Sequence, residues 1–190
     1  MAAKTYNNPE LDQKLKDTYY RPSETNPGFN KAIIEMSRTL ADMCYQCGTC
    51  TGSCPSAPRS SYRIRKFMRR NVFGLENEAL TDPDLWLCTT CYSCSDRCPR
   101  DIAPTDVIMA MRNMAFKRDI VPKNFLMTVK LIYESGHGVP NNDANRAARV
   151  RLGLDADPPT THTYPEYMQG VRKIIDSYNL KAEADRILGE

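Results

Sequence analysis

The stretches CYQCGTCTGSCP (residues 44–55) and CTTCYSCSDRCP (residues 88–99) hold all eight cysteines of this 190-residue chain. Each reads C-x2-C-x2-C-x3-C-P. Every Cys of the first run recurs 44 positions later: Cys44 with Cys88, Cys47 with Cys91, Cys50 with Cys94, Cys54 with Cys98. Doubled in one chain, this spacing marks a protein with two [4Fe–4S] clusters, the fourth Cys of each run ligating the cluster of the other run. Three cysteines so spaced let one loop serve three irons. Pro55 and Pro99 bias the preceding residue toward extended backbone, which should turn Cys54 and Cys98 toward the partner cluster. The expected ligand sets are Cys44, Cys47, Cys50 and Cys98 for one cluster, and Cys88, Cys91, Cys94 and Cys54 for the other. Gly48 and Gly52 permit close approach in the first loop. The second loop carries Tyr92, Ser93 and Asp96 instead, so its local environment should differ.

Zinc and disulfides are the competing readings of eight cysteines. Structural zinc usually takes two separated C-x2-C pairs. Three cysteines within seven residues followed by C-P match that poorly. Disulfides need an oxidising compartment. The N-terminal stretch MAAKTYNNPELDQKLKDTYYRPSETNP lacks the apolar segment of a signal peptide. No apolar run reaches the ~18–20 residues that span a bilayer. The expected location is therefore cytoplasmic, with no membrane span.

An apolar fraction of 41% is low for a large conventional core, so metal–sulfur bonds are expected to supply part of the stability. Metal-bound thiols are deprotonated. Eight thiolates and two oxidised cores would bring the formal charge of +3 to about −1, which is not a nucleic-acid-binding balance.

Periodicity outside the runs is helical. Asn26-Pro27 reads as a helix start, followed by a stripe of Ile33, Ile34, Met36 and Leu40. Between the runs, Ile64, Phe67, Met68 and Val72 keep helical spacing, closed by Gly74 as a C-cap. Asp82-Pro83-Asp84 reads as a further helix start. Pro104-Thr105-Asp106 opens another, with Ile108, Met111 and Ala115 on one face, widened by Val107 and Met114. Phe125, Val129, Ile132 and Tyr133 repeat the pattern up to Gly136. A short helix is expected near 143–152. The cleanest stripe is Tyr167, Val171, Ile174, Ile175 and Tyr178, as core or interface, and Leu180, Ala184, Ile187 and Leu188 suggest a last helix. Almost nothing alternates with period two. The fold expected is all-α: an α-helical ferredoxin-type domain over residues 28–120, an N-terminal arm at 1–27, and a helical C-terminal extension at 121–190 with a linker near 153–164.

The basic group Arg59, Arg63, Arg65, Lys66, Arg69 and Arg70 reads first as a solvated helix face. It also suits compensation of cluster charge or docking to an acidic partner. His137 and His162 read as surface residues, Met109, Met111 and Met114 as packing, and Trp86 as a shield between a cluster and water.

The cysteine runs, their helical connections and the basic helix resemble the C-subunit family of heterodisulfide reductase from methanogenic archaea, in its soluble three-subunit form. The resemblance covers residues 28–135 well and the tail more loosely. The doubled motif also occurs in iron–sulfur chains of succinate dehydrogenase, fumarate reductase and glycerol-3-phosphate dehydrogenase. The first two would add a plant-type cluster domain upstream, but no Cys precedes Cys44. The last would add Cys-Cys-Gly repeats downstream, but no Cys follows Cys98.

The resemblance implies an electron-relay role within a heterodisulfide reductase acting in methanogenesis. A flavin-containing, bifurcating component would draw electrons from a hydrogenase or formate dehydrogenase. The relay chain would pass one stream through two [4Fe–4S] clusters to the catalytic component. That component, with its Cys-Cys-Gly cluster site, would reduce the mixed disulfide of coenzymes M and B. The residues agree with that division of labour. The sequence contains no convincing nucleophile–base pair, phosphate loop or dinucleotide fingerprint, so the chain is expected to be a non-catalytic part of an oxidoreductase. A diffusible two-cluster ferredoxin, the relay chain of another oxidoreductase, and a non-redox interaction protein held by metal are the alternatives.

Overall fold

The computed structural model describes residues 24–189, apart from the side chain of His162. The expected arm at 1–27 thus falls almost wholly outside the described residues. Every regular element among those described is helical. The chain divides into two compact units, Met1–Lys117 and Arg118–Glu190.

In the first unit, helix α1 (Pro27–Ser37) starts as its sequence dictates: the Asn26 side chain accepts from the Gly28 N–H at 2.9 Å, and Pro27 needs no donor there. A 3₁₀ turn, Ala41–Met43, leads into Cys44. One-turn helix α2 (Thr49–Gly52) follows, then α3 (Ile64–Val72) and α4 (Glu76–Thr81). A 3₁₀ helix, Pro83–Leu87, is capped by the Asp82 carboxylate accepting from the Asp84 N–H, and enters Cys88. Helices α5 (Ser93–Asp96) and α6 (Pro104–Phe116) complete the unit. Its core joins Phe29 and Ile33 of α1, Ile64, Phe67 and Met68 of α3, Leu75, Leu80 and Leu85, and Val107, Ile108, Met111 and Ala115 of α6.

Several expected faces are corrected. On α1 Phe29 joins the expected Ile33 as the buried pair, four residues apart, while Met36 and, beyond the helix end, Leu40 are exposed. The α1 stripe is set by where α6 lies, which sequence spacing does not contain. Val72 sits at the margin of the α3 face, and helix α4 went unanticipated between Gly74 and Asp82. Met111 is packed as expected, but Met109 is exposed and Met114 half-buried.

Gly74 does more than follow α3. It has φ +67°, and a Cβ there would lie 2.6 Å from the Asn26 carbonyl oxygen. The same two residues are joined by the Asn26 N–H donating to the Gly74 carbonyl at 2.7 Å. Gly74→Ala is therefore expected to destabilise the first unit by about 2 kcal/mol, from left-handed backbone cost plus the collision. Thermal or denaturant unfolding against wild type checks this, and a variant as stable as wild type contradicts it.

In the second unit, α7 (Lys123–Ser135) ends at Gly136 in left-handed conformation, as expected. Its buried residue is Leu126, whereas Phe125 is 39% exposed. Helix α8 (Asp143–Arg151) is capped by Asn142. Helices α9 (Met168–Ser177) and α10 (Leu180–Leu188) pack with α7, burying Met168, Ile175 and Ala184. Tyr167, Ile174 and Tyr178 are exposed and Val171 is half-buried, so of their stripe only Ile175 is core among the described residues. His137 is half-buried.

Candidate iron–sulfur centre

The cysteine repeat is a repeat of backbone as well as of ligands. Gln46 and Thr90 have φ of 63° and 51°; Gly48 and Tyr92 have φ of 86° and 63°. Each pair is separated by the same 44 residues as the cysteines. Gly48 and Tyr92 are the left-handed N-caps of α2 and α5. The Cys54 N–H donates to Thr51 O at 3.3 Å, and the Cys98 N–H to Ser95 O at 3.2 Å. The second loop thus follows the path of the first without its glycine, and Tyr92 carries the left-handed cost of about 1–2 kcal/mol. The expectation that the loops differ holds for their side-chain surroundings rather than for their backbones.

The repeat extends to thiol electrostatics. Cys47 and Cys91 are exposed, with sulfurs 3.4 Å from Thr49 Oγ1 and 3.5 Å from Ser93 Oγ. Those hydroxyls hold both thiols below the ordinary range. Cys50 and Cys94 are buried, and burial pushes both up, Cys50 to about 11. Burial alone keeps such a thiol protonated, whereas metal coordination would deprotonate it outright.

The two runs meet. Cys44, Cys47 and Cys50 line a pocket together with Cys98 of the other run. Met68 and Ile102 give it apolar wall, and Arg65 and Arg100 give it positive charge. Around the second run, Cys88, Cys54 and Cys94 all act electrostatically on the buried side chain of Tyr62. Cys94 likewise influences Cys50. Among the described residues, no three His, Cys, Asp or Glu side chains converge closely enough to hold a single metal ion. A tetrahedral zinc site, with Zn–S of about 2.3 Å, would draw its sulfurs to about 3.8 Å apart. Four thiols spread around a cavity suit a larger inorganic body.

Hydrogen-bond donors surround these sulfurs. The Gln46 amide donates to Cys44 Sγ at 3.4 Å, and the Thr90 N–H to Cys88 Sγ at 3.5 Å. Thr105 Oγ1 lies 3.1 Å from Cys94 Sγ in the interior. Donors to cluster sulfur offset negative charge and tune its potential.

The basic helix proves heterogeneous. Lys66 pairs with Asp82 and Asp84, each at 2.8 Å, and Arg70 with Asp82. Burial raises the Asp82 carboxyl, but bonds from Arg70 and Lys66 outweigh it and leave it below the usual range. Arg63 donates to the carbonyls of Ala57, Ser60 and Tyr62. Arg65 lies along the first loop, its side chain 3.6 Å from where a Cβ on Gly48 would stand. Charge compensation therefore describes Arg65, internal ion pairing describes Lys66 and Arg70, and Arg59 and Arg69 are exposed.

Sequence reasoning missed Tyr62, Thr105 and Arg112, which reach the cysteines across the fold. The Arg112 guanidinium donates to Leu85 O at 3.0 Å and to Cys88 O at 2.7 Å, and lies 5.5 Å from the centre of the Trp86 ring. Trp86 is half-buried under it.

Residues 40–102 match the 4Fe–4S dicluster domain family. Beyond that segment, the chain is 40% identical to the iron–sulfur C subunit of the CoB–CoM heterodisulfide reductase of Methanopyrus kandleri, over 92% of this chain and 93% of that one. The chain belongs to the C-subunit family of heterodisulfide reductase. The C subunit of the H2:CoB–CoM heterodisulfide,ferredoxin reductase of Methanothermobacter marburgensis is 41% identical over 84% of this chain and 86% of its own. The C subunit of the ferredoxin:CoB–CoM heterodisulfide reductase of Methanosarcina mazei is 38% identical over 70% and 81%. Membership of this heterodisulfide reductase family makes the protein an iron–sulfur electron-transfer chain of an oxidoreductase. No helix among its described residues is long and apolar enough to cross a membrane.

Proposed function

We propose that this chain is the electron relay of a CoB–CoM heterodisulfide reductase complex, holding two [4Fe–4S] clusters between a flavin-containing, bifurcating component and a catalytic Cys-Cys-Gly component. The observation that carries this reading is the cavity lined by three cysteines of one run and the fourth cysteine of the other. Family membership supports the assignment to heterodisulfide reductase.

Cys44, Cys47, Cys50 and Cys98 would hold one cluster, and Cys88, Cys91, Cys94 and Cys54 the other. Each cluster, when bound, exchanges a single electron at a time. The protein's part is positional. Buried Cys50 and Cys94 keep the two ligand sets adjacent, so an electron has a short path between them. Met68 and Ile102 exclude water from the first site. The Gln46 amide donates to sulfur, and the Thr49, Ser93 and Thr105 hydroxyls beside Cys47, Cys91 and Cys94 would donate likewise once those thiols are deprotonated by a cluster. With every thiol engaged, none remains as a nucleophile, so disulfide cleavage is assigned to the Cys-Cys-Gly component.

Anaerobically prepared protein is expected to contain about eight irons per chain, four for each cubane, and to show two magnetically interacting clusters by spin resonance after reduction. It is also expected to co-purify at fixed stoichiometry with a flavin protein and a Cys-Cys-Gly protein. Bound zinc, or only half of that iron, overturns the two-cluster reading. Full iron without stable partners leaves a diffusible carrier instead.

A further inference from the structure

Tyr62 is fully buried, at 0% exposure, and its hydroxyl has no hydrogen-bond partner of good geometry among the described residues, the Cys88 side chain coming nearest to serving as one. A buried hydroxyl left without a partner costs about 1–3 kcal/mol. Native interiors rarely tolerate that without an ion, water or cofactor to receive the bond.

The position is held firmly. Arg63 donates to the carbonyls of Ala57, Ser60 and Tyr62 itself, at 2.7, 2.8 and 2.7 Å. The Tyr62 N–H donates to Ser60 Oγ at 3.3 Å, and the ring lies 5.8 Å from that of Phe67. Backbone and ring are both satisfied, so the hydroxyl is the residue's only unmet group. The three cysteines acting on it are Cys88, Cys54 and Cys94, with Cys88 the strongest. All three fall in the set expected to share one cluster, although Cys54 comes from the first run.

We propose that the Tyr62 hydroxyl donates a hydrogen bond to the sulfur shell of the cluster held by Cys88, Cys91, Cys94 and Cys54, and so raises the reduction potential of that cluster relative to the other. Tyr62 is a tuning residue: one electron enters the cluster, no proton moves, and the bond strengthens as sulfur becomes more negative. Charge-assisted bonds of this kind are stronger than neutral ones. The position 44 residues later in the repeat is Asp106, and the tyrosine beside the first ligand set, Tyr45, which bonds to the Cys47 side chain, is 59% exposed where Tyr62 is buried. The internal repeat would thus supply two near-identical loops, and one non-repeated side chain would separate their potentials.

The inference rests on the two-cluster reading, and iron analysis keeps the two apart. Wild-type and Tyr62→Phe protein, within the complex, are compared by iron content and by potentiometric titration followed by spin resonance. Cys54→Ser and Cys98→Ser identify which signal belongs to which ligand set. With full iron retained, Tyr62→Phe is expected to lower the reduced-to-oxidised ratio of the second cluster about tenfold at fixed potential, equivalent to about 59 mV for one electron. The first cluster should stay put. Placing 3-fluorotyrosine at position 62 makes the hydroxyl a better donor without removing it, and should shift the same cluster the opposite way. Full iron with neither substitution moving the second cluster overturns the inference. So does a shift confined to the first cluster. Should Tyr62→Phe lose iron, the fluorotyrosine titration alone decides. Wild-type protein short of two clusters' iron overturns the two-cluster reading itself.

Discussion

Cys98→Ser should empty the site formed by the first run while sparing most of the run that contains it. The reason is the shared wall of the first cavity: Cys98 stands with Cys44, Cys47 and Cys50, not only with its sequence neighbours. Serine is a poor ligand for iron, and a cubane with one weak corner loses iron or falls to a three-iron form. Cys54→Ser should do the reverse and damage the site of Cys88, Cys91 and Cys94, whose members Cys88 and Cys94 share with Cys54 an influence on Tyr62. Each single substitution is expected to remove up to half of the iron, about four of the eight atoms expected from two cubanes. Spin resonance of the reduced variants identifies the surviving cluster, and the magnetic interaction between the two should vanish in both. Loss of the cluster belonging to the mutated run would refute the crossed assignment outright. Electron passage to a disulfide-reducing partner should stop in either variant, since a relay with one station missing has no short path left.

Those cysteines were legible because their spacing answers to the cluster rather than to the fold. Helix starts were legible for a similar reason: Asn26-Pro27, Asp82-Pro83 and Pro104 act within one turn of themselves. Gly74 and Gly136 mark helix ends because left-handed backbone is a local property. Faces were read less well. Phe29, not Met36, is buried beside Ile33 on α1, because the neighbour that covers it comes from α6, about 80 positions further along the chain. The Leu126 and Phe125 exchange on α7 has the same origin. Helix α4 escaped notice because its N-cap, Leu75, offers no side-chain acceptor to mark it. The left-handed Tyr92 was illegible for a different reason. Composition leads one to expect glycine there, and the repeated loop geometry overrides that preference. Within the candidate site, ligands were readable and their surroundings were not. Tyr62, Thr105 and Arg112 belong to no motif, and only folding brings them to the sulfurs.

Arg112 shows what that surrounding layer contributes. It projects from the middle of α6 and ties down the approach to the second run at three points. Its Nε donates to Leu85 O, its Nη2 donates to Cys88 O, and its guanidinium packs over the Trp86 ring. Leu85, Trp86 and Cys88 span the 3₁₀ helix and the first ligand, so one side chain fixes the entry angle of the whole loop. Burial pushes the guanidinium's ionisation down, while the Cys88 sulfur opposes that shift, which places a positive charge close to a ligand. Bonds from a charged donor are worth about 1.5–3 kcal/mol each, and removing the donor leaves two carbonyls unmet. Arg112→Ala is therefore expected to destabilise the first unit by about 3 kcal/mol or more, part of it from lost packing on Trp86. Arg112→Lys should recover little, because a single ammonium cannot span both carbonyls and stack on the indole at once. The consequence for the metal site is selective. In Arg112→Ala the second cluster should leave faster on exposure to a chelator or air than the first, while the first keeps its wild-type rate. Unfolding curves read the stability change, and time-resolved loss of the two spin-resonance signals reads the selectivity. Equal acceleration of both would mean that Arg112 merely supports the domain, whereas preferential loss of the second ties the arrangement of α6 directly to one end of the electron path.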